Sequence, residues 1–235
     1  MWQNFPQQLY DNIILNNRWQ MYLSGLKNTL LLTLGAAVIG IVLGSLVAIC
    51  KVYIKNKKKI TPVDRALDFV CDVYLTIIRG TPMMVQVLIF CWIIFGSASI
   101  AMNFYAAMIA FGINSGAYVA EIVRAGINAV NIGQTEAGRS LGLTSAMTMR
   151  SIVLPQAIKN ILPALANEAI TLVKETAIVG YAAQQDITYA AATIRSRTYS
   201  PVPLLLIAVV YLLIVMLMTY GVNKLERRLA KSDRG

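Results

Sequence analysis

Three long stretches of this sequence contain no charged residue, and they limit what the chain can fold into. Leu30 to Ile49 spans 20 residues, Leu204 to Val222 spans 19, and Gly80 to Ala120 spans 41. A helix of about 20 apolar residues crosses the hydrocarbon core of a bilayer, so the longest stretch has room for two crossings. Hydrophobic residues make up 57% of the chain and charged residues only 14%. The hydrophobic share is higher, and the charged share lower, than in ordinary soluble proteins. The sequence therefore predicts an all-α integral membrane protein.

The composition offers little material for an enzyme. The chain has no histidine, and its three cysteines lie in or beside apolar segments without C-x-x-C spacing (Cys50, Cys71 and Cys91). We expect them to be packing residues, and we expect no catalytic residue and no metal site in this chain. Acids at i, i+4 and i+8 of a predicted helix could be imagined as a metal cluster, but such acids are usually solvated (Asp64, Asp68 and Asp72).

The positive charges are unevenly placed, and their placement predicts orientation. The net charge is +10, with cations concentrated between residues 51 and 65 and in the tail from Lys224. This positive-inside pattern puts the amino terminus outside the cell and the carboxyl terminus in the cytoplasm. Basic patches beside membrane spans explain the excess, so no nucleic-acid partner is expected. The first 21 residues lack the apolar core and cleavage site of a signal peptide, and we expect none.

The chain divides into a membrane domain and short flanking segments. We expect an extracellular segment at 1–21, a transmembrane domain at 22–222 and a basic cytoplasmic tail at 223–235. About five spans are predicted within the domain (22–50, 83–95, 100–126, 161–183 and 203–222). Small residues recur every four positions in the first span, which lets another helix approach closely, within the chain or from a second subunit (Ala36, Gly40, Gly44 and Ala48).

The segment 134–155 separates two predicted spans and has its own local structure. Thr135 to Leu141 can form two helical turns, with Glu136 in the first turn, where a carboxylate suits the helix macrodipole. Gly142 is placed to end this helix, and Thr144 to cap a second short one. Pro155 is expected to end that second helix or to form a hinge, because proline disfavours helical geometry in the residue before it.

The same segment carries a long sequence signature. It reads E-A-x-x-x-x-G, followed after nine residues by I-x-L-P. This pattern resembles the motif by which permease subunits of bacterial ATP-binding-cassette (ABC) importers engage their ATPase. One departure is Gly138, where the family usually has alanine. The resemblance implies that residues 134–155 form a cytoplasmic loop that engages the ATPase, which we call the coupling loop. It assigns coupling to seven residues of this loop (Glu136, Ala137, Gly138, Gly142, Ile152, Leu154 and Pro155).

Two further segments resemble the polar amino acid branch of this family, the histidine, glutamine and arginine type. They are R-G-T-P at residues 79–82 with the following M-M-V-Q, and N-S-G-A-Y-V-A-E-I-V-R-A-G-I from Asn114. Asn114, Tyr118 and Glu121 share a helix face at i, i+4 and i+7. We expect Glu121 to pair with Arg124 or Arg79 in a structural or gating network rather than to bind a ligand.

The fourth predicted span is too polar to face lipid. It contains Asn167, Glu168, Lys174 and Glu175, so its polar face must contact protein or water. N-E-x-x-x-L-x-K-E-T also resembles the family pattern in this span. A substrate site on one helix face is therefore the first hypothesis (Glu168, Thr171, Leu172 and Glu175), with the carboxylates holding an ammonium, cationic or amide group. The alternative is a structural ion-pair network with Lys174.

The resemblance covers about Tyr22 to Val222 and implies a complete transporter. Its expected parts are two permease subunits, identical or different, a pair of cytoplasmic ATPases and an extracellular solute-binding protein. It implies the type I importer permease fold, with import of a polar amino acid across the bacterial cytoplasmic membrane by alternating access. The chain has no G-x-x-x-x-G-K-[ST] sequence, so ATP and Mg are expected on the ATPase. An ion-gradient-driven secondary transporter or channel remains the alternative.

Overall fold

The computed structural model of the chain describes residues 5–57, 59–96, 99–182 and 185–231. Within these ranges the structure consists of helices and connections, without a β-strand. The helices are α1 (Phe5–Ile13), α2 (Arg18–Lys55), α3 (Pro62–Gly80), α4 (Met83–Leu88), α5 (Ile100–Asn128), α6 (Ile132–Ser140), α7 (Ser145–Thr148), α8 (Leu154–Glu175), α9 (Ile187–Thr198) and α10 (Val202–Lys231). Helix α4 continues as a π-helix (Ile89–Ile94), and α8 continues as a 3-10 helix (Thr176–Ala182).

Three helices of the described chain are long and apolar enough to cross a membrane: Leu15–Lys55, Met102–Asn128 and Val202–Leu229. The pair Pro62–Gly80 and Met83–Ile94 makes a fourth if it is one broken span. Helix α8 has 22 residues but does not reach that hydropathy, because of the polar residues that made it stand out in the sequence. The expected terminal segments at 1–21 and 223–235 include positions 1–4 and 232–235, which lie outside the described residues.

The chain forms two compact units, each with its own apolar core. The first unit comprises Met1–Ala37, Pro82–Gly112 and Ile170–Thr219. Its main core gathers residues of α2, α4, α5 and α8, with Phe111 among its largest buried side chains. Cys91 is buried there, as expected of a packing residue. A second cluster joins Tyr22 to the buried face of α9, which includes Ile187 and Ile194.

The second unit comprises Val38–Thr81, Ile113–Ala169 and Tyr220–Gly235, and small residues bring α2 close to α5 there. A Cβ on Gly44 would lie 2.5 Å from the carbonyl oxygen of Gly116, and one on Gly40 would lie 2.9 Å from Ser115 Oγ. Ala48 packs in an apolar cluster with Val119. The small-residue stripe of α2, whose partner was open in the sequence, is therefore used within the chain at these positions.

Helix α3 begins at Pro62 and is preceded by a capping box. Thr61 Oγ1 accepts a hydrogen bond from the Asp64 amide at 3.3 Å, and an Asp64 carboxylate oxygen accepts one from the Thr61 amide at 2.7 Å. This reciprocal pair satisfies two amides that the first turn leaves open. Lys57 donates to Asp64 at 2.7 Å, and this hydrogen bond raises the pKa of Lys57 above its ordinary value.

The other two acids of α3 are also paired rather than merely solvated. Lys51 Nζ lies 2.7 Å from a carboxylate oxygen of Asp68 and 2.7 Å from one of Asp72. The expectation of solvated acids was wrong for Asp64, which is 6% exposed, whereas the side chains of Asp68 and Asp72 remain 41% and 58% exposed while pairing with Lys51. The three aspartates are used to hold the two helices and their connection together.

The segment Tyr181–Val202, which its polar residues predict to be an external loop that is mostly a solvated connector or else a contact for the binding protein, contains a helix. The carboxylate of Asp186 accepts hydrogen bonds from the amides of Thr188 and Tyr189 and so caps α9. Ala190 and Ala191 of α9 are buried. The solvated-connector account was wrong for one face of α9, because four residues at i, i+3, i+4 and i+7 are buried (Ile187, Ala190, Ala191 and Ile194). Contact of the exposed face with a binding protein stays a prediction.

Candidate functional site: a helix-turn-helix segment and a polar membrane helix

The first helix of the coupling-loop region starts earlier than the predicted Thr135. Helix α6 runs from Ile132 to Ser140, and the side chain of Asn131 caps it by accepting a hydrogen bond from the Gly133 amide at 2.8 Å. Glu136 therefore lies past the first turn. The predicted interaction of its carboxylate with the amino end of the macrodipole was wrong, because that interaction is confined to the first turn.

Gly142 ends α6 in the geometry that its position predicts. Its φ is +84°, a left-handed conformation that favours glycine. The amide of Leu143 donates to the carbonyl of Gly138 at 3.1 Å, and the amide of Gly142 donates to that of Arg139 at 3.1 Å. These two bonds form a Schellman motif, which satisfies carbonyls that the last turn leaves open. The Arg139 guanidinium also donates to the Leu143 carbonyl at 2.7 Å, so a side-chain hydrogen bond stabilises the turn in addition to the backbone bonds.

The second helix of the loop begins at the predicted cap. Thr144 Oγ1 accepts a hydrogen bond from the Met147 amide at 3.3 Å, and α7 continues as a π-helix (Met149–Val153) directly into α8. Pro155 is the second residue of α8, and the helical path from α7 continues through it, so the expectation that it ends the helix was wrong. The alternative expectation of a hinge stays a prediction. The π turn just before Pro155 interrupts the regular i to i+4 hydrogen bonding, so the missing amide hydrogen of proline is accommodated there.

Gly138 is the residue by which α6 touches the second helix. It is buried, and a Cβ on it would lie 2.9 Å from both Ile152 Cδ1 and Thr148 Cγ2. The departure from the alanine of the family motif therefore matches a close crossing. Ile152 and Thr148 meet α6 on this inner side.

The outer side of the loop exposes apolar side chains. The exposed fraction is 81% for Leu141, 74% for Ile132 and 51% for Met147. Glu136, Ala137, Leu154 and Pro155 are exposed as well. An exposed group of large apolar residues on a segment braced by two caps and a Schellman turn is suited to contact another protein.

A separate ionic network joins α3 to α5 in the second unit. Glu121 lies between two arginines: Arg79 Nη1 is 3.6 Å from one carboxylate oxygen, and Arg124 pairs with the other. The Arg79 guanidinium also lies over the ring of Tyr118, 5.7 Å from its centroid. Asn114 is buried on the same helix. The structure thus brings the predicted charged residues together, and their structural or gating role stays a prediction.

Glu168 of α8 has a different environment. Its Oε1 accepts a hydrogen bond from Ser115 Oγ on α5 at 2.9 Å, and Ser115 is 1% exposed. In the part of the chain that the structure describes, no lysine or arginine forms an ion pair with Glu168. The structural ion pair with Lys174 is therefore not what holds this carboxylate here.

The remaining predicted substrate residues divide into two groups. Thr171 is exposed and Glu175 is half-buried on α8. Leu172 is 1% exposed and packs in the main core of the first unit. This burial leaves Leu172 no surface for a ligand in this arrangement, so we reassign it from substrate contact to packing.

Sequence reasoning missed two contacts made by residues of α3 and α5. Ser115 holds Glu168, and Tyr74 Oη donates to the carbonyl of Ile113 at 2.6 Å. The only local signal was the run of small residues beside Ser115. Both contacts join helices that are far apart in sequence, and a single sequence does not reveal such pairs.

Comparison with known proteins identifies the family. Residues 40–231 match the family described as "Binding-protein-dependent transport system inner membrane component". The chain is 41% identical over 202 residues to the putative glutamine transport system permease protein GlnP of Rickettsia bellii (strain RML369-C), which covers 84% of this chain and 87% of that protein. It is 37% identical over 216 residues to the arginine transport system permease protein ArtQ of Bacillus subtilis (strain 168), covering 90% and 93%.

Solved structures give the same result at the level of the fold. A crystal structure of an amino acid ABC transporter with histidines superposes with a TM-score of 0.78 at 42% identity, covering 89% of this chain and 94% of that one. The inward-facing methionine ABC transporter MetNI superposes with a TM-score of 0.75, covering 91% and 98%. At 18% identity, the second likeness shows the fold alone.

The fold and the helix-turn-helix segment define a transmembrane permease subunit of an ABC importer, a transporter in which the ATPase is a separate subunit. The chain belongs to the family of binding-protein-dependent transport system inner membrane components. This membership favours the importer over the ion-gradient-driven transporter or channel. It also implies, at family level, partners that hydrolyse ATP and partners that deliver substrate.

Proposed function

We propose that this permease subunit imports a polar amino acid of the glutamine or arginine class and that α8 supplies its binding residues. The named substrates of GlnP and ArtQ support this class. The observation that carries the proposal is the half-buried Glu168 carboxylate, which has a serine partner but no ion pair within the described chain. An ionised group in a membrane helix is costly without a partner. A substrate ammonium or guanidinium would supply the missing positive charge.

Glu175 and Thr171 extend the proposed site along α8. Glu175 lies two helical turns after Glu168, and Thr171 lies between them. One carboxylate would hold the α-ammonium group, and the other would hold a cationic or amide side chain. Acidic amino acids fit this arrangement less well, because two carboxylates would repel a third.

We further propose that the coupling loop docks into the ATPase on the cytoplasmic side. In this arrangement the amino terminus is outside and the carboxyl terminus is in the cytoplasm. ATP and Mg bind to the ATPase pair, a second permease subunit completes the pathway, and an extracellular binding protein delivers the amino acid. Closure of the ATPases would favour one position of α6, and the unbroken helical path from α7 into α8 would carry the movement.

The test of the substrate site is uptake by the purified complete transporter in proteoliposomes. Radiolabelled glutamine and arginine are offered to wild type, Glu168→Gln, Glu175→Gln and Ser115→Ala. Glu168→Gln should raise the KM by about tenfold or more for the substrate whose cation it holds, because a charged hydrogen bond is lost. Ser115→Ala should raise it less, since the carboxylate remains.

Glu226→Gln is the matched control, since Glu226 is an exposed acid near the end of α10. It should leave the KM unchanged. If Glu168→Gln and Glu175→Gln both transport with the wild-type KM while the complex assembles normally, the α8 site is wrong.

A further inference from the structure

A polar cavity in the first unit shares no residue with the proposed α8 site. It lies where α1 meets the connection from α9 to α10 and has a volume of about 370 Å³, within the range of about 300–1,000 Å³ usual for small-molecule sites. Its polar lining includes Gln8, Asp11, Asn12, Arg18, Thr198 and Ser200. Neither the proposed transport mechanism nor the coupling loop uses these residues.

The cavity contains one positive and one negative side chain that do not neutralise each other. Arg18 uses its guanidinium to donate to the backbone carbonyl of Asp11. The Asp11 carboxylate accepts a hydrogen bond from Gln7 at 2.9 Å. Across the described residues, neither Arg18 nor Asp11 takes part in an ion pair. A guanidinium has five N–H donors in a fixed fork that matches a carboxylate, so Arg18 retains donors for a ligand.

Asn12 at the cavity gives a second, independent indication of a ligand. The residue is 1% exposed. Its Nδ2 donates to the Gln8 carbonyl at 2.7 Å, whereas its Oδ1 is buried without a hydrogen-bond partner. Buried polar atoms are nearly always paired, and an unpaired one is costly. A donor group of a bound molecule, reached by a small rotation of the amide, would satisfy it.

We infer that this cavity binds a free amino acid as a zwitterion. Its α-carboxylate would meet Arg18, its α-ammonium would meet Asp11, and Asn12 Oδ1 would accept one N–H. A simple anion would be repelled by Asp11, and a simple cation by Arg18, so a molecule carrying both charges is the best electrostatic match. In the proposed orientation α1 is external, and the cavity is then a holding site on the side from which the amino acid arrives.

The test counts binding sites on the purified permease–ATPase complex in detergent, without the solute-binding protein, by equilibrium dialysis with radiolabelled L-glutamine and L-arginine. All variants carry Glu168→Gln, so that the α8 site contributes least. Arg18→Gln and Asp11→Asn are compared with Arg197→Gln, which removes an exposed arginine that does not line the cavity. Two competitors probe the charge requirement: glutaramic acid, which lacks the ammonium group, and 4-aminobutanamide, which lacks the carboxylate.

We expect one class of sites. Arg18→Gln and Asp11→Asn should each lower its affinity for the amino acid by about tenfold or more, whereas Arg197→Gln should leave the affinity unchanged. Neither competitor should fully displace the bound amino acid. Asp11→Asn replaces one atom of a partly exposed side chain and carries the test if Arg18→Gln does not assemble. The absence of an Arg18- or Asp11-dependent class for both probes would overturn the inference. So would full competition by either analogue. Because the readout is binding and not uptake, this result is independent of the KM test of Glu168.

Discussion

One backbone angle sets the geometry of the coupling loop. Gly142 has a φ of +84° with open space around its Cα, so a substitution there is opposed by backbone strain rather than by a clash. A β-branched residue in this region costs about 1–3 kcal/mol. We expect Gly142→Val to insert in the membrane normally but to lose coupling, because the angle between α6 and α7 changes.

The measurement is substrate-stimulated ATP hydrolysis and uptake by the reconstituted transporter. Gly142→Asn is the matched control, since asparagine tolerates left-handed geometry and should retain most of the coupling. Full substrate-stimulated hydrolysis in Gly142→Val would contradict the role given to this turn.

The carboxyl group of Asp186 should make the stability of the folded protein depend on pH. Burial raises the pKa of Asp186 above its ordinary value of 3.8, against the opposing effect of the Tyr189 and Thr188 amides. The folded protein therefore holds this proton more tightly than the unfolded chain does. The resulting stabilisation is complete below the ordinary value and is lost as the pH rises through the raised one.

Asp186→Asn removes this titration and keeps an oxygen for the cap. We expect the midpoint of thermal unfolding of wild type, relative to Asp186→Asn, to be higher at pH ~4 than at pH ~7. The opposite order would mean that the amides of α9 stabilise the carboxylate more than burial penalises it.

Residues whose role depends on neighbours in sequence could be interpreted correctly before the structure was known. Gly142 and Thr144 are local signals, and each has the predicted position in a turn or cap. Glu168 could be recognised as unusual but not matched to Ser115, because that pair depends on how two distant helices pack. Leu172 was misplaced for the same reason.

At the scale of elements, close approach of α2 and α5 depends on glycine at one position more than at others. A Cβ on Gly44 would lie 2.5 Å from a backbone oxygen and 2.6 Å from Val119 Cβ, neither of which can move easily. On Gly35 it would meet only the flexible end of Met108, and on Gly221 it would meet open space. We expect Gly44→Ala to lower the free energy of unfolding by about 1–3 kcal/mol.

Gly35→Ala should be less destabilising than Gly44→Ala, and Gly221→Ala should be neutral or slightly stabilising because alanine is the better helix former. Thermal unfolding of the three variants in the same detergent checks the order. Equal losses at Gly44 and Gly221 would mean that α2 and α5 separate enough to admit the methyl group.

Element boundaries were harder to predict than element existence. The break between α3 and α4 follows from Gly80 and Pro82, and both flanking helices were predicted. Helix α6 began earlier than expected because Asn131, a residue outside the considered segment, caps it. Helix α9 was not predicted, although its apolar spacing and the Asp186 cap are local signals for it.

At the scale of the whole molecule, the uneven distribution of positive charge predicts one membrane orientation, and two exposed residues allow it to be tested. The cations cluster after the first span and in the tail, and the positive-inside rule assigns both clusters to the cytoplasm. The same assignment puts Leu141 of the coupling loop inside and Tyr199, at the end of α9, outside. These residues are 81% and 92% exposed, so each is a suitable position for a chemical label.

Labelling with a membrane-impermeant maleimide tests this orientation. Each variant carries a single cysteine at one of these positions, in a chain in which Cys50, Cys71 and Cys91 have been replaced. Tyr199→Cys should react in intact cells. Leu141→Cys should react only in inside-out vesicles, and less when the ATPase is bound, because the exposed apolar side chains of the loop would then be covered. Reaction of Leu141→Cys in intact cells would place the loop where no ATPase could reach it. If Leu141→Cys reacts equally in inside-out vesicles with and without the ATPase, the proposed membrane topology would still hold. The proposal that this face of the loop contacts the ATPase would then be wrong.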